Sequence, residues 1–276
     1  KRHARGVSAL LHGGLTGDAA VYLHPAESGV GMAEIKAFAS GQLEFRVVVE
    51  GRGPPTTEPL QTAFAHLAES AVEMAFVVHA ALMAFDARRG VQVHHPALHG
   101  RVGRSTNLML SHVSAGEADR LARSPLTCTL GYALSFPPGE DIDALKTAVR
   151  EAVAEACAAD PWLRDHPARI DWVSGTSGAE VPEDHPLYAV VAAAVVAGTG
   201  RQPYVNPMHT GSDIRNPIVQ KGIPTVGLGP LCGDLTQNGR TDEWVDVADY
   251  LRAVEVVARI IEGWCGAEDE VPAAAD

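Results

Sequence analysis

The chain has 276 residues, of which 46 % are hydrophobic and 20 % are charged, so we expect one or two domains with a sizeable core. Its 34 acidic and 22 basic residues give a net charge of −12, which argues against binding to nucleic acid or to an anionic membrane surface. The four cysteines form no CxxC pair, and no apolar run approaches the length of a membrane span. These features predict reduced thiols in a cytoplasmic protein without a signal peptide.

The first residues predict a helix followed by a buried strand. The segment "RGVSALLH" resembles the end of a helix, and Gly13 and Gly14 would stop it. The apolar run over 18–23 then predicts a strand that ends at His24.

From Gly41 onward the pattern changes to alternating strands and amphipathic helices. The predicted elements are a strand over 42–49, a helix over 60–86, a loop over 87–104, strands over 106–116 and 126–136, a helix over 142–156 and a strand over 168–175. This order, β-α-β-β-α-β, is that of the ferredoxin-like split unit.

After about residue 180 the pattern returns to α/β. Asn216 is the expected N-cap of a short helix that Gly222 stops, a buried strand covers 223–228, and Asp246 should cap a final helix. Apolar periodicity predicts that one face of this final helix is buried, through Val247, Tyr250, Leu251, Val254, Val257, Ala258 and Ile261.

We therefore predict an α/β fold made of two domains. Residues 1–36 and 178–276 would form a partial α/β catalytic domain, and residues 37–177 would form a ferredoxin-like lid or dimerisation domain inserted into it. Insertion at a surface loop is physically easy because the two ends of a domain usually lie close together.

A polar loop lies just ahead of the short helix. It contains His209, Ser212, Asp213 and Arg215. These are more polar side chains than a turn and a helix cap require. Polar residues on a loop that a rigid scaffold holds are a common form of active site.

Five stretches of this chain, in the same order, resemble the two-zinc amidohydrolases and metallopeptidases that include acetylornithine deacetylase, succinyl-diaminopimelate desuccinylase and glutamate carboxypeptidase. The most specific are "GSDIRNP" and "DEWVD". The full stretches are residues 13–29, 41–59, 114–141, 211–230 and 242–261. The resemblance implies an incomplete zinc-peptidase-like catalytic domain with an inserted lid.

The resemblance also implies a chemistry and a set of residues. In this family two zinc ions activate a water for attack on an amide carbonyl. His24 stands where the family has a metal ligand, and Arg215 resembles the arginine that binds the substrate carboxylate. Ser212 and Asp213 resemble residues that shape that loop, while His209 would either face the substrate or cap a turn. The substrate would be a small N-acyl amino acid or a peptide.

Several family positions are not matched. The first metal histidine, the bridging aspartate and the catalytic glutamate pair would lie upstream of Lys1. Pro55 stands in place of the lid histidine, and no asparagine is found near Asp119. Gly239 to Thr241 stand where the last metal histidine is expected.

These departures leave alternatives open. The chain would be either part of a metal-dependent amidohydrolase that needs a missing N-terminal half, or a degenerate, non-catalytic relative that acts in assembly or small-ligand binding. The third alternative is that the chain resembles this family in its architecture alone. The strand over 106–116 would be an edge open to pairing, which favours a homodimer through the inserted domain. His94, His95 and His99 could bind a metal by composition or could simply lie in a loop.

Overall fold

The computed structural model describes residues 5–207, 212–233 and 241–266. Its α-helices are α1 (Arg5–His12), α2 (Ala71–Gln92), α3 (Pro96–Val102), α4 (Ile142–Ala159), α5 (Pro161–Asp165), α6 (Pro186–Thr199), α7 (Arg215–Lys221) and α8 (Val247–Cys265). Its strands are β1 (Ala20–Leu23), β2 (Glu34–Ile35), β3 (Phe38–Ala39), β4 (Gly41–Glu50), β5 (Asn107–Ala115), β6 (Thr127–Phe136), β7 (Arg169–Thr176), β8 (Ala179–Glu180), β9 (Tyr204–Val205) and β10 (Thr225–Leu228). Short 3-10 helices cover Gly31–Ala33 and Thr62–Leu67. Within these ranges no helix is long and apolar enough to cross a membrane.

The chain divides into two compact units. Unit 1 contains residues 1–40 and 179–276, and unit 2 contains residues 41–178. Each unit has its own hydrophobic core.

Unit 2 is an antiparallel sheet with helices on one face. The strand order is β5-β6-β4-β7, and the element order follows the predicted β-α-β-β-α-β pattern. Strand β4 buries every second residue, as its alternation predicted, and Phe45 stacks on Tyr132 in the core. The Tyr132 hydroxyl lies 3.0 Å from His79 Nδ1, which supplies the hydrogen-bond partner that a buried phenol needs.

Two predictions about the helices of unit 2 were wrong. Helix α2 begins at Ala71 rather than at residue 60, because the backbone of Glu69 pairs with that of Arg52 and cannot continue a helix. The predicted loop over 87–104 is largely helical: α2 continues to Gln92, and Pro96 starts α3 from its first turn. Gly90 lies inside α2, where an added Cβ would come within 2.6 Å of the Arg104 guanidinium and would displace it.

Unit 1 is built from short strand pairs and helices, and one of the pairs, β3 with β8, is antiparallel. Strand β1 pairs with β10, and β2 pairs with β9, both in parallel. Helices α6 and α8 pack through Val195, Val256 and Ile260. Asp246 caps α8 as predicted, because its carboxylate accepts a hydrogen bond from Asp249 N.

The predicted buried face of α8 was wrong. Tyr250, Val254 and Ile261 are 54 %, 61 % and 59 % exposed, whereas Val256 and Ile260 are buried. Helix α8 carries apolar residues on two faces, and α6 packs against the one that was not predicted.

Candidate functional site

The pairing of β1 with β10 fixes the position of His24. Leu23 lies opposite Leu228, and the backbone N–H of His24 donates to the Leu228 carbonyl at 3.0 Å. The next residue on that side is Gly229, where an added Cβ would clash with the carbonyl group of His24. Glycine is therefore needed for the two backbones to lie this close.

Two contacts of the His24 ring help to orient it. Its Nδ1 lies 3.0 Å from the carbonyl oxygen of Pro25, and its ring centroid lies 5.3 Å from that of Tyr22. When Nδ1 donates its proton to Pro25, the lone pair of the neutral ring is on Nε2. This arrangement is the usual one for a histidine that binds a metal, whose second nitrogen donates to a carbonyl or carboxylate.

A buried ion pair holds the loop that follows His24. Lys36 Nζ lies 2.9 Å from Glu34 Oε1, and both side chains are fully buried. Lys36 also donates to the Pro25 carbonyl at 2.8 Å, so Pro25 is held by Lys36 as well as by His24. The other carboxylate oxygen of Glu34 accepts hydrogen bonds from the backbone and hydroxyl of Ser28.

The charge state of Glu34 follows from these contacts. Burial alone would raise the pKa of its carboxyl, but the Lys36 charge and the hydrogen bonds from Ser28, Lys36 and Asn206 outweigh burial and lower this pKa. The Asn206 amide donates to Glu34 Oε1 at 3.2 Å and so ties β9 to the same carboxylate.

Asp249 of α8 ties two other loops to the helix. Its Oδ2 accepts hydrogen bonds from Met32 N at 2.9 Å and from Leu231 N at 2.7 Å. Gly31 lies against this carboxylate at a positive φ of 69°, where an added Cβ would lie 2.5 Å from the same oxygen. The loops after β1 and after β10 are thus both fixed to α8.

Neither Glu34, Lys36 nor Asp249 was predicted as part of the site. The available signal was "MAEIKAFA", in which an acid and a lysine interrupt an apolar run. Charged residues inside such a run are almost never fully buried unless they are paired.

The predicted loop residues lie at the start of α7. Ser212 is buried and its hydroxyl accepts a hydrogen bond from Ile214 N at 3.3 Å. Arg215 is 7 % exposed; burial lowers the pKa of its guanidinium, and the Asp213 carboxylate partly offsets this effect. Asn216 is not the N-cap, because α7 begins at Arg215 with Ile214 in the capping position, two residues earlier than predicted. Gly222 ends the helix at φ 66°, as predicted.

Tyr22 lies beside His24, and the charge of Asp213 influences its hydroxyl. Burial raises the pKa of the Tyr22 hydroxyl, and the carboxylates of Asp213 and Glu27 raise it further. Asp213 therefore acts electrostatically on both Arg215 and Tyr22, and the Tyr22 ring lies beside His24. His209 lies outside the described residues.

A cavity of about 520 Å³ opens beside His24 between the ends of β1 and β10 and helix α8. Its lining is mostly apolar and includes Leu23, Met32, Tyr250 and Val254. No residue of the described segment 212–215 lines it, so His24 borders this cavity and Arg215 does not.

The described residues do not complete a metal centre. Across 5–207, 212–233 and 241–266, no group of three or more His, Cys, Asp or Glu side chains could hold an ion. Any metal at His24 would need further ligands from residues beyond those described. The same absence of a metal-binding group applies to the histidines at and just before α3, where the ring centroids of His94 and His99 lie 4.4 Å apart.

Comparison with known proteins identifies the family. Peptidase family M20/M25/M40 matches the chain over residues 3–263. A succinyl-diaminopimelate desuccinylase from Rhodopseudomonas palustris is 26 % identical over 170 residues, which are 61 % of this chain and 41 % of that protein. An N-formyl-4-amino-5-aminomethyl-2-methylpyrimidine deformylase from Halalkalibacterium halodurans is 24 % identical over 148 residues, 50 % of this chain and 34 % of that protein.

Solved structures show the same fold. An M20 metallo-carboxypeptidase from Sulfolobus solfataricus superposes with a TM-score of 0.68 at 12 % identity, over 94 % of this chain and 66 % of that one. The aminopeptidase PepT from Bacillus cereus gives a TM-score of 0.65 at 18 % identity, over 91 % of this chain and 58 % of that one.

The chain spans less than half the length of the two curated relatives that it matches in sequence. By the family match over most of its length, this chain belongs to peptidase family M20/M25/M40.

Proposed function

We propose that this chain takes part in metal-dependent hydrolysis of an N-acyl or peptide amide that lies next to a carboxylate. The family match over residues 3–263 carries the proposal. It is supported by the names of the two curated relatives, which describe removal of a succinyl and of a formyl group.

We assign each candidate residue the role that the family resemblance implies. Arg215 would pair with the substrate carboxylate, because a planar guanidinium binds a carboxylate through two hydrogen bonds. Ser212 and Asp213 would hold the loop that presents Arg215, and His209 would face the substrate. His24 would supply one ligand to zinc through Nε2, with the remaining ligands coming from residues beyond those described.

The remaining expectations belong to the same proposal. The protein would be cytoplasmic and would bind neither nucleic acid nor membrane. A homodimer would form through unit 2, where β5 is an edge strand with Met109 and Val113 exposed.

The test measures hydrolysis of N-acetyl and N-succinyl amino acids by the protein purified from the cells that naturally produce it. We expect turnover that a chelator abolishes and that added zinc restores. Turnover that survives complete removal of metal would contradict the proposal. Binding of these acids without any turnover, in the metal-loaded protein, would favour the non-catalytic alternative.

A further inference from the structure

A cavity of about 320 Å³ lies on the face of the unit 2 sheet that points away from its helices. Strand β6 runs between β5 and β4, and its Gly131 and Ala133 line the cavity at the centre. Larger side chains of the flanking strands surround them: Glu44 and Arg46 from β4, and His112 from β5. The middle of this sheet face therefore has a depression with charged walls.

Strands β5 and β7 each contain an extra residue beside this cavity. The register shifts between Leu110 and His112 in β5, and next to Glu44 where β4 pairs with β7. These shifts leave Ser111 and Val173 as the bulged residues, and both line the cavity. Bulges redirect side chains and are over-represented next to active sites. We interpret the two bulges as features that shape this cavity.

The residue at the centre of the cavity is confined by its neighbours. An added Cβ at Gly131 would lie 2.9 Å from the Cβ of His112, so a larger residue would displace that histidine. The Ser111 hydroxyl donates to the Gly131 carbonyl at 3.2 Å, which ties the bulge of β5 to the same residue. A glycine inside a strand often marks a place that a ligand approaches closely.

Two opposite charges line the cavity without forming an ion pair with each other. The Glu44 carboxylate accepts a hydrogen bond from the Ser174 hydroxyl at 2.9 Å, which holds it near β7. Arg46 is exposed, and its side chain has no ion pair or hydrogen bond with any residue that the structure describes. Asp171 lies opposite Arg46 on β7 but pairs with Arg169 instead. The cavity thus offers one positioned anion and one unpaired cation.

We propose that this cavity binds a free α-amino acid with an apolar side chain. The ligand carboxylate would pair with Arg46 and its ammonium group with Glu44, because residues two apart on a strand lie roughly 6.5–7 Å from each other. His112 would donate a ring N–H to the same carboxylate. Val173, which is 50 % exposed, and Ala133 would contact the ligand side chain.

The charges of the cavity favour a zwitterion over other small ligands. Glu44 would repel a simple anion and Arg46 would repel a simple cation, whereas a zwitterion satisfies both groups. A metal ion is a poorer occupant, because the described residues contain no group of three or more side chains that could hold one. The cavity belongs to unit 2 and Arg215 to unit 1, so the inference does not depend on the proposed hydrolysis.

The experiment titrates L-leucine into the protein by calorimetry, with a chelator present so that no amide is hydrolysed. We expect saturable binding at concentrations below about 10 mM, as for other ligands of this size. L-leucinamide lacks the carboxylate and N-acetyl-L-leucine lacks the ammonium group, so each should bind roughly 10-fold more weakly or worse.

Substitutions assign the two charges separately. Arg46→Gln should weaken leucine binding roughly 10- to 100-fold and improve binding of L-leucinamide, because the repelling cation is gone. Glu44→Gln should also weaken leucine binding, but should improve binding of N-acetyl-L-leucine. Ala133→Leu should abolish binding by filling the cavity. The matched control is Arg88→Gln, which removes an exposed arginine of α2 outside the cavity and should leave all three affinities unchanged.

Hydrogen exchange locates the bound ligand. Leucine should slow exchange in peptides that contain the two bulges, residues 110–113 and 172–174. The inference is wrong if leucine does not bind below about 10 mM, if Arg46→Gln and Arg88→Gln have the same effect, or if protection is confined to unit 1. Hydrolysis is measured separately on the metal-loaded protein, so either proposal can fail alone.

Discussion

Replacing Lys36 with methionine tests the buried ion pair behind His24. The substitution keeps most of the side-chain volume but leaves the Glu34 carboxylate fully buried without its cation. Removal of one partner from a buried pair costs about 3–5 kcal/mol, mainly because an uncompensated charge stays in a poorly solvating interior. We therefore expect Lys36→Met to lower the free energy of unfolding of unit 1 by about that amount at pH 7.

The pH dependence makes the prediction specific. In the unsubstituted protein the pKa of Glu34 is lowered, so the pair stabilises the fold above the unfolded pKa of about 4.3, and this stabilisation is lost as the pH falls through the folded pKa. Without Lys36, burial should raise the folded pKa of Glu34 above its unfolded value. The variant then has its full stability below the unfolded pKa and loses it as the pH rises through the folded one. The difference between the two proteins should therefore be largest near pH 7 and shrink toward pH 4.

The assay is urea-induced unfolding followed by circular dichroism, with hydrogen exchange of the β1 and β10 peptides reporting on unit 1. Lys221→Met, which removes an exposed lysine from the same unit, should change stability by no more than about 0.5 kcal/mol. The double variant Glu34→Gln with Lys36→Met should recover much of the loss, because it leaves no buried charge. An effect of Lys36→Met as small as that of Lys221→Met, or one that does not change with pH, would refute the reasoning.

Substitutions at three further positions test the elements around the site. Asp249→Ala removes the acceptor of two backbone amides and should cost about 3 kcal/mol in urea unfolding, while Asp249→Asn, which keeps one acceptor oxygen, should cost less. Gly229→Ala should destabilise the protein and speed hydrogen exchange at His24, because the new methyl group clashes with that residue's carbonyl; an unchanged exchange rate would contradict this close packing. Asp246→Ala removes the N-cap of α8 and should lower stability by about 1 kcal/mol, whereas Asp246→Asn should be nearly neutral.

Periodicity predicted the fold of unit 2 but could not assign the packing of α8. In β4 the apolar residues alternate along the strand, so the sequence alone indicates which of its two faces is buried. Helix α8 has apolar residues on two faces, and the choice between Val256 and Val254 depends on where α6 lies. The sequence contains no local signal for that position.

The same distinction applies to the candidate site. The sequence predicted the strand that ends before His24 and a short helix close to Arg215, and the structure has both elements. The roles of the two residues come from the family resemblance and stay predictions. The apolar run around Glu34 and Lys36 indicated a buried pair, but the sequence did not show its role. That role depends on contacts with Pro25 and with Asn206, and Asn206 lies far away in sequence. Short strands such as β2 and β9 also have too few residues to show the alternation of apolar and polar residues that identifies a strand.

Arg215 is proposed to bind the substrate carboxylate. The direct measurement is kcat/KM of the natural protein for an N-acyl amino acid and for the same compound with its carboxylate converted to an amide. We expect Arg215→Ala to lower kcat/KM for the acid by roughly 10- to 100-fold, the value of a charge-assisted hydrogen bond, and to leave the amide nearly unchanged. Lys221→Ala, at the other end of α7, should alter neither value. Equal losses for acid and amide would mean that Arg215 does not recognise the carboxylate, and the assignment of this loop would be wrong.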